Sequence, residues 1–197
     1  MNCINQTQGA VKIGFALTGS FCTFSKALEQ MQKLVALGYD VRPIMSENAY
    51  KTDTRFGSSE EFINMIEGIC GKKIISTIVA AEPIGPKKLL DLLLIAPCTG
   101  NTLGKLANGI SDTSVTLAAK AHLRNLRPAL IAVSSNDALS SSAKNIGLLF
   151  NMKNIYFVPM RQDDPTGKNN SLVADFDKIP DALEAALHRR QIQPVFT

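Results

Sequence analysis

A chain of 197 residues, 45% hydrophobic and 19% charged, is long enough to bury one well-formed core, and that balance excludes a disordered or fibrous protein. Its net charge of +4 comes without a dense Lys/Arg block interleaved with aromatics, which argues against a nucleic-acid binder. The longest apolar run, residues 89–97, is interrupted by Asp91 and falls far short of the roughly 18 residues that a membrane-spanning helix requires.

The opening stretch, Met1-Asn2-Cys3-Ile4-Asn5-Gln6, lacks a basic region followed by a long apolar one, so a cytoplasmic location is expected. Cys3, Cys22, Cys70 and Cys98 show no CxxC spacing. That points to reduced thiols, with neither a metal site nor a disulfide framework.

Residues 11–18 form a short apolar run ending at Gly19-Ser20, the pattern of a strand buried on both faces of a parallel sheet. A helix is predicted over 24–37, with apolar residues at Phe24, Ala27, Leu28, Met31, Leu34 and Val35. It closes at Gly38, which accepts a left-handed backbone without steric cost. A second strand follows at 39–46, then a polar loop at 47–57. Ser58 is the predicted cap of a helix that runs to Cys70 and stops at Gly71, with Glu60 and Glu61 in the turn where the helix dipole favours acids. The Ile, Val and Thr content of 73–80 predicts a short strand, and Glu82-Pro83-Ile84-Gly85-Pro86 irregular chain.

The central strand is expected over 89–96, Pro97 ending its ladder because proline donates no N–H. Helical regions follow from the 97–102 loop through Ala107 and, capped by Ser111 or Asp112, to about Asn125. A strand at 130–134, a helix at 138–150 and a strand at 155–159 continue the alternation. Residues 160–175 read as a polar arm containing Pro165 and Gly167, before a C-terminal helix at 180–190. The whole chain, 1–197, is read as one domain of α/β class: a three-layer, Rossmann-like or flavodoxin-like domain with a mainly parallel sheet.

In such sheets ligands lie at the carboxyl ends of the strands. Gly19 lets a ligand approach the backbone, Ser20 adds a hydroxyl, and the following helix offers N–H groups and a favourable dipole for an anion. Ser46 ends the second strand with a hydroxyl, Thr99, Gly100, Asn101 and Thr102 make a small donor-rich loop, and Ser134, Ser135, Asn136 and Asp137 supply a fourth strand end. Asp137 reads equally well as a helix N-cap. The glycines form neither GxGxxG nor GxxxxGK[ST], which moves the reading from a dinucleotide or P-loop to a mononucleotide phosphate. Met160 and Arg161 with Lys168 read either as a dicarboxylate site or as a solvated arm. His122 and His188 read as packing or surface residues, and Cys22 and Cys98 as small buried thiols.

The run Ala96-Pro97-Cys98-Thr99-Gly100-Asn101-Thr102 resembles the Pro-Ala-Ser-Ala-Asn-Thr segment of the FMN-binding flavoprotein family, which holds the cysteine and phosphopantothenoylcysteine decarboxylases and the prenyl-FMN-forming enzymes. With Thr18-Gly19-Ser20 it covers the family's two landmarks. Cys98, Thr99 and Gly100 replace Ala, Ser and Ala of that segment, and Gly100 is expected to loosen the loop. Ser134-Ser135-Asn136-Asp137 stands where the peptidyl-cysteine decarboxylases carry Pro-Ala-Met-Asn, and the family's catalytic histidine has no counterpart at His122 or His188.

The stretches from Ala132 to Leu139 and from Pro159 to Phe176 resemble, within that family, a branch that works beside a separate NADP-using A subunit. The resemblance implies a homo-oligomer, and FMN in the pocket or phosphate only in its place. It further implies a dihydrodipicolinate-type heterocycle oxidised to dipicolinate during sporulation. Gly19, Ser20, Ser46, Thr99, Asn101 and Thr102 carry over as flavin-phosphate or phosphate contacts, and Ser135 and Asn136 complete the cofactor-binding set. Three roles stand open: part of an oxidoreductase, a non-catalytic mononucleotide- or phosphate-binding partner of the A subunit, and an FMN-dependent decarboxylase. No catalytic residue is assigned.

Overall fold

A computed structural model describes residues 9–197; Cys3 and the opening stretch from Met1 to Gln6 lie outside the described residues. Strands and helices alternate as β1 (Lys12–Leu17), α1 (Phe24–Ala36), β2 (Asp40–Met45), α2 (Glu47–Lys51), α3 (Ser59–Cys70), α4 (Ile78–Ala81), β3 (Leu92–Cys98), α5 (Gly100–Ala107) and α6 (Ser114–Leu123). There follow β4 (Ala129–Ser135), α7 (Ala143–Phe150), β5 (Ile155–Phe157), β6 (Met160–Arg161), β7 (Leu172–Ala174) and α8 (Ile179–Leu187). The parallel strands lie in the order β2-β1-β3-β4-β5, and β7 pairs antiparallel with the carboxyl end of β4 and with β6. The sheet is therefore mixed but mostly parallel, in the flavodoxin-like order.

Successive strand side chains point to opposite faces, and the two faces bury different helices. Phe15, Leu17, Leu94 and Ala96 pack with α1, α3 and α8, through Met31, Ile66 and Leu183 among others. Ala16, Leu93, Ile95 and Val133 pack with α4 to α7 through Ala81, Leu103, Val115 and Ile146. This is the expected three-layer arrangement. The predicted stops also hold: Gly38 follows α1 with φ +88° and Gly71 ends α3 with φ +61°. Ser58 forms a reciprocal capping box with Glu61, accepting from its N–H at 3.2 Å and donating its own N–H to the carboxylate at 2.9 Å.

Several element boundaries differ from expectation for local reasons. The polar loop 47–57 begins with α2, because Ser46 Oγ accepts from the Ala49 N–H and caps a turn too short and polar to show periodicity. The strand expected over 73–80 is reduced to a bridge between Ile75 and Ile44, after which the Thr77 hydroxyl caps α4. β3 continues through Pro97 to Cys98, its register shifting between Ile95 and Cys98, so the missing proline N–H falls at an irregularity of the ladder. The cap of α6 is Thr113 rather than Ser111 or Asp112, with Oγ1 accepting from the Thr116 N–H at 3.2 Å. α7 starts at Ala143, the preceding residues being occupied by turns around Asp137. The polar arm carries β6 and β7, and so folds back on the sheet.

Candidate functional site

β1 leads to β2 on one side and lies against β3 on the other, and a doubly wound sheet opens a crevice at that reversal. Thr18 ties the two strand ends together there. It is 1% exposed, its Oγ1 donates to the Pro97 carbonyl at 2.8 Å, and the same oxygen accepts the Thr99 N–H at 3.1 Å. Thr99 in turn caps α5, its Oγ1 accepting from the Thr102 N–H at 3.3 Å. Ser20 and Ser134 share a hydroxyl hydrogen bond of 2.8 Å, joining the ends of β1 and β4, and the Thr23 hydroxyl donates to the Ser20 carbonyl at 2.9 Å. Two helix N-termini, those of α1 with its preceding 3-10 turn (Phe21–Thr23) and of α5, thus open on one crevice. Each offers first-turn N–H groups that the helix itself cannot satisfy.

The crevice is a cleft of about 810 Å³. It gathers Gly19, Ser20, Thr99, Asn101, Ser135 and Asn136 from the predicted set, together with Gly100 and Asp137. Ser46 and Thr102 are not among its lining residues. The Ser46 hydroxyl is spent on α2, and Thr102 is buried with its Oγ1 3.1 Å from that of Thr99.

Gly100 does not loosen its loop. A Cβ built there would lie 2.5 Å from Asp137 Oδ1, 2.6 Å from Ser142 Oγ and 2.7 Å from Ser135 Oγ, so this is a close-packed position where any larger residue forces those side chains to shift. Asp137 is not the cap of α7, whose N-cap is Ser142. Its Oδ1 accepts from the Ser135 hydroxyl, and its Oδ2 accepts from Ser141 at 2.5 Å and Ser142 at 3.1 Å. Those hydroxyls, Ser135 first, hold the Asp137 carboxyl below its ordinary value despite partial burial.

The other walls, Lys168 apart, were missed by sequence reasoning. Thr54, Arg55 and Phe56 enter from the loop between α2 and α3, and Asp163, Lys168, Ser171, Leu172 and Val173 from the arm. The position of 54–56 after a parallel strand was the available signal, since loops at strand carboxyl ends face the ligand side. Lys168 reaches the cleft and pairs with Asp163 at 3.1 Å, whereas Arg161 lies in a separate small pocket, 3.9 Å from Asp175. The Ser171 hydroxyl and Lys168 hold the Asp163 carboxyl below its usual range.

Neither histidine lines the cleft. His122 is buried, donates Nε2–H to the Pro128 carbonyl at 2.9 Å, and is lowered to about 4 by burial. His188 is exposed beside Glu184. Cys98 is a buried thiol pushed up by desolvation, but Cys22 is exposed in the cleft wall, 3.7 Å from Ser20 Oγ. Among the described residues, no cluster of His, Cys, Asp and Glu is arranged to hold a metal ion, and no helix is long and apolar enough to cross a membrane.

The cleft has a hydroxyl-rich pole at Gly19, Ser20 and the turn that follows, and apolar surface at Phe56, Leu172 and Val173. Its size and two kinds of wall fit a ligand with a phosphate at one end and a flat ring at the other. A flavodoxin-like sheet with this crevice at its switch point defines a flavoprotein-type fold, and the chain belongs to the Flavoprotein family, whose family model matches residues 2–187. The chain is 47% identical over 184 residues to the B subunit of dipicolinate synthase from Bacillus subtilis (strain 168), a match spanning 93% of this chain and 92% of that protein. The crystal structure of the dipicolinate synthase B subunit from Bacillus halodurans C aligns with a TM-score of 0.88 at 47% identity, covering 96% of this chain and 97% of that one. Burkholderia xenovorans DmrB in complex with FMN, described as a cubic protein cage for redox transfer, shares the fold at TM-score 0.68 and 16% identity, over 93% of this chain and 98% of that one.

Proposed function

We propose that the chain is the flavin-type component of a dipicolinate-forming enzyme, dipicolinate synthase. It holds FMN in the cleft and works beside a separate NADP-using A subunit on a dihydrodipicolinate-type heterocycle during sporulation. The observation that carries this reading is the convergence of Ser20, Asn101 and Ser135 on one cleft at the β1/β3 crevice. The 47% identity to a dipicolinate synthase B subunit supports it. The same reading takes the chain as one cytoplasmic domain within a homo-oligomer, with no nucleic-acid or membrane partner.

When bound, FMN supplies a hydride acceptor. The chain's own residues hold and shield it: Gly19, Ser20 and the following turn at the phosphate, Thr99 and Asn101 beside it, and Phe56, Leu172 and Val173 against the ring. Ser46 and Thr102 act behind these contacts, through the loops they cap or support. Arg55 and Lys168 supply positive charge for the substrate's two carboxylates. Conversion of the dihydro ring to a pyridine releases a proton with the hydride, and aromatisation drives it, so the proton passes to water without a strong protein base. Asp137 and Asp163, both held below their ordinary values, are suited to remaining ionised rather than to taking that proton. The decarboxylase reading is disfavoured because both histidines stand outside the cleft.

The test is the absorption spectrum of the purified protein, an FMN titration, and an assay with and without the A subunit. Stoichiometric flavin and turnover that needs both chains support the proposal. Turnover by the NADP-using partner on its own, with this chain adding only stability, favours the non-catalytic mononucleotide- or phosphate-binding role. Failure to bind FMN at micromolar concentration overturns the flavin assignment.

A further inference from the structure

The β4 side of the cleft differs chemically from the β1 side. A serine hydroxyl has one hydrogen, and that of Ser135 goes to Asp137 Oδ1. Asp137 is acceptor-only, and Ser141 and Ser142 fix its other oxygen. What Ser135 presents to the cleft is therefore its lone pairs, with a carboxylate directly behind them. Gly100 gives that carboxylate its place against the first residue of α5, so the positive end of α5 already faces a negative group belonging to the chain. The hydroxyl partners of Ser20 are Ser134 and Cys22, with no carboxylate among them.

We propose that Ser135 and Asp137 form an acceptor-only wall, which takes an N–H or O–H from the non-phosphate part of a bound mononucleotide and confines its phosphate to the Ser20 turn. The proposal rests on reading the cleft as a mononucleotide site. It goes further in giving the β4 end of the cleft a part in keeping the phosphate at the Ser20 turn, and it assigns Asp137 as a positioning residue acting through Ser135.

The experiment is a titration of the ¹⁵N-labelled full chain with inorganic phosphate, followed by amide NMR, for the wild type and Asp137→Asn. In the wild type, phosphate is expected to move the amide signals of Gly19, Ser20, Phe21 and Cys22 and to leave Ser135 and Asn136 in place. In Asp137→Asn the negative charge behind Ser135 is gone, and with the amide nitrogen turned toward it Ser135 has a hydrogen to donate. Ser135 and Asn136 should then respond, with phosphate affinity rising by about threefold or more. Equal wild-type responses at Ser20 and Ser135, silence at both, or an Asp137→Asn pattern identical to the wild type overturns the proposal. Ser135→Ala is the second variant, used if Asp137→Asn does not fold. Its phosphate affinity should stay within about twofold of the wild type, and a larger fall makes Ser135 a phosphate contact and overturns the wall. FMN titration of the same samples reads the cofactor separately: the phosphate pattern without FMN binding keeps the wall and removes the flavin.

Discussion

Asp137 Oδ1 lies 2.5 Å from where a Cβ on residue 100 would stand, although the two residues belong to different strand-end loops. Gly100 and Asp137 are each a departure from the segments that the chain resembles, Ala in one and Asn in the other. In the structure the two positions meet: the missing methyl at residue 100 leaves the space that Asp137 Oδ1 approaches.

Gly100→Ala is therefore expected to destabilise the chain by about 1–3 kcal/mol, the usual cost of overpacking a close contact. Asp137→Ala removes the nearest of the three atoms that the new methyl would strike and frees the Ser135 and Ser142 hydroxyls, which Asp137 holds in place, to turn away. The double variant should be less destabilised than the sum of the two single changes by about 1 kcal/mol or more, read from urea unfolding. Simple additivity would show that the contact is unimportant.

Thr18 offers a second structural test. Thr18→Val keeps the shape but leaves the Thr99 N–H without its acceptor and the Pro97 carbonyl with only the Thr18 N–H at 3.3 Å as donor, which should cost about 1–3 kcal/mol in the same unfolding measurement. Asn101 is exposed on the cleft wall, so Asn101→Ala should leave stability within about 0.5 kcal/mol. It should weaken FMN binding roughly fivefold to tenfold, the loss of one hydrogen bond. Unchanged FMN affinity would remove Asn101 from the site.

The parts of the fold legible in the sequence were those written in contiguous apolar runs. Leu92 to Ile95 reads as a buried strand anywhere, and the serine and glycine residues after such runs mark loops at strand ends. Six of the eight expected cofactor residues line one cleft for that reason. Ser46 and Thr102 share the same residue chemistry, but only tertiary structure shows their hydroxyls turned to capping and to Thr99. Arg55 was invisible because an arginine in a polar loop has no periodic signal. The wall from Leu172 and Val173 was hidden because β7 pairs antiparallel with β4 over only two residues, too few for a strand pattern. Gly100 was misread for a related reason: a glycine needed for close approach and a glycine that adds freedom look the same without the neighbour that approaches.

His122 supplies a pH dependence away from the cleft. Burial favours its neutral ring and lowers it to about 4 from the ordinary 6.5, so between those values the unfolded chain binds a proton that the folded chain refuses. Its contribution is fully present above about pH 6.5 and is lost as the pH falls toward 4, by on the order of 3 kcal/mol for a depression of this size. His122→Gln keeps an N–H for the Pro128 carbonyl and does not titrate. Urea midpoints measured from pH 7 to 4 should fall less steeply for this variant than for the wild type, and parallel curves would contradict the assignment.

The rim charges separate two readings of the arm. Arg161 and Lys168 stand on the same segment, but only Lys168 reaches the cleft, where Arg55 enters from another loop. If these two recognise the substrate's carboxylates, Lys168→Ala and Arg55→Ala should each raise KM for the dihydro heterocycle by about fivefold, assayed with the NADP-using partner present, with a smaller effect on kcat. Added salt should narrow the difference between variant and wild type, because both groups are solvent-exposed and screened. Arg161→Ala is the control on the same arm. It should leave KM unchanged, and an Arg161→Ala effect equal to that of Lys168→Ala would mean that the arm acts through its overall charge rather than through contact at the cleft.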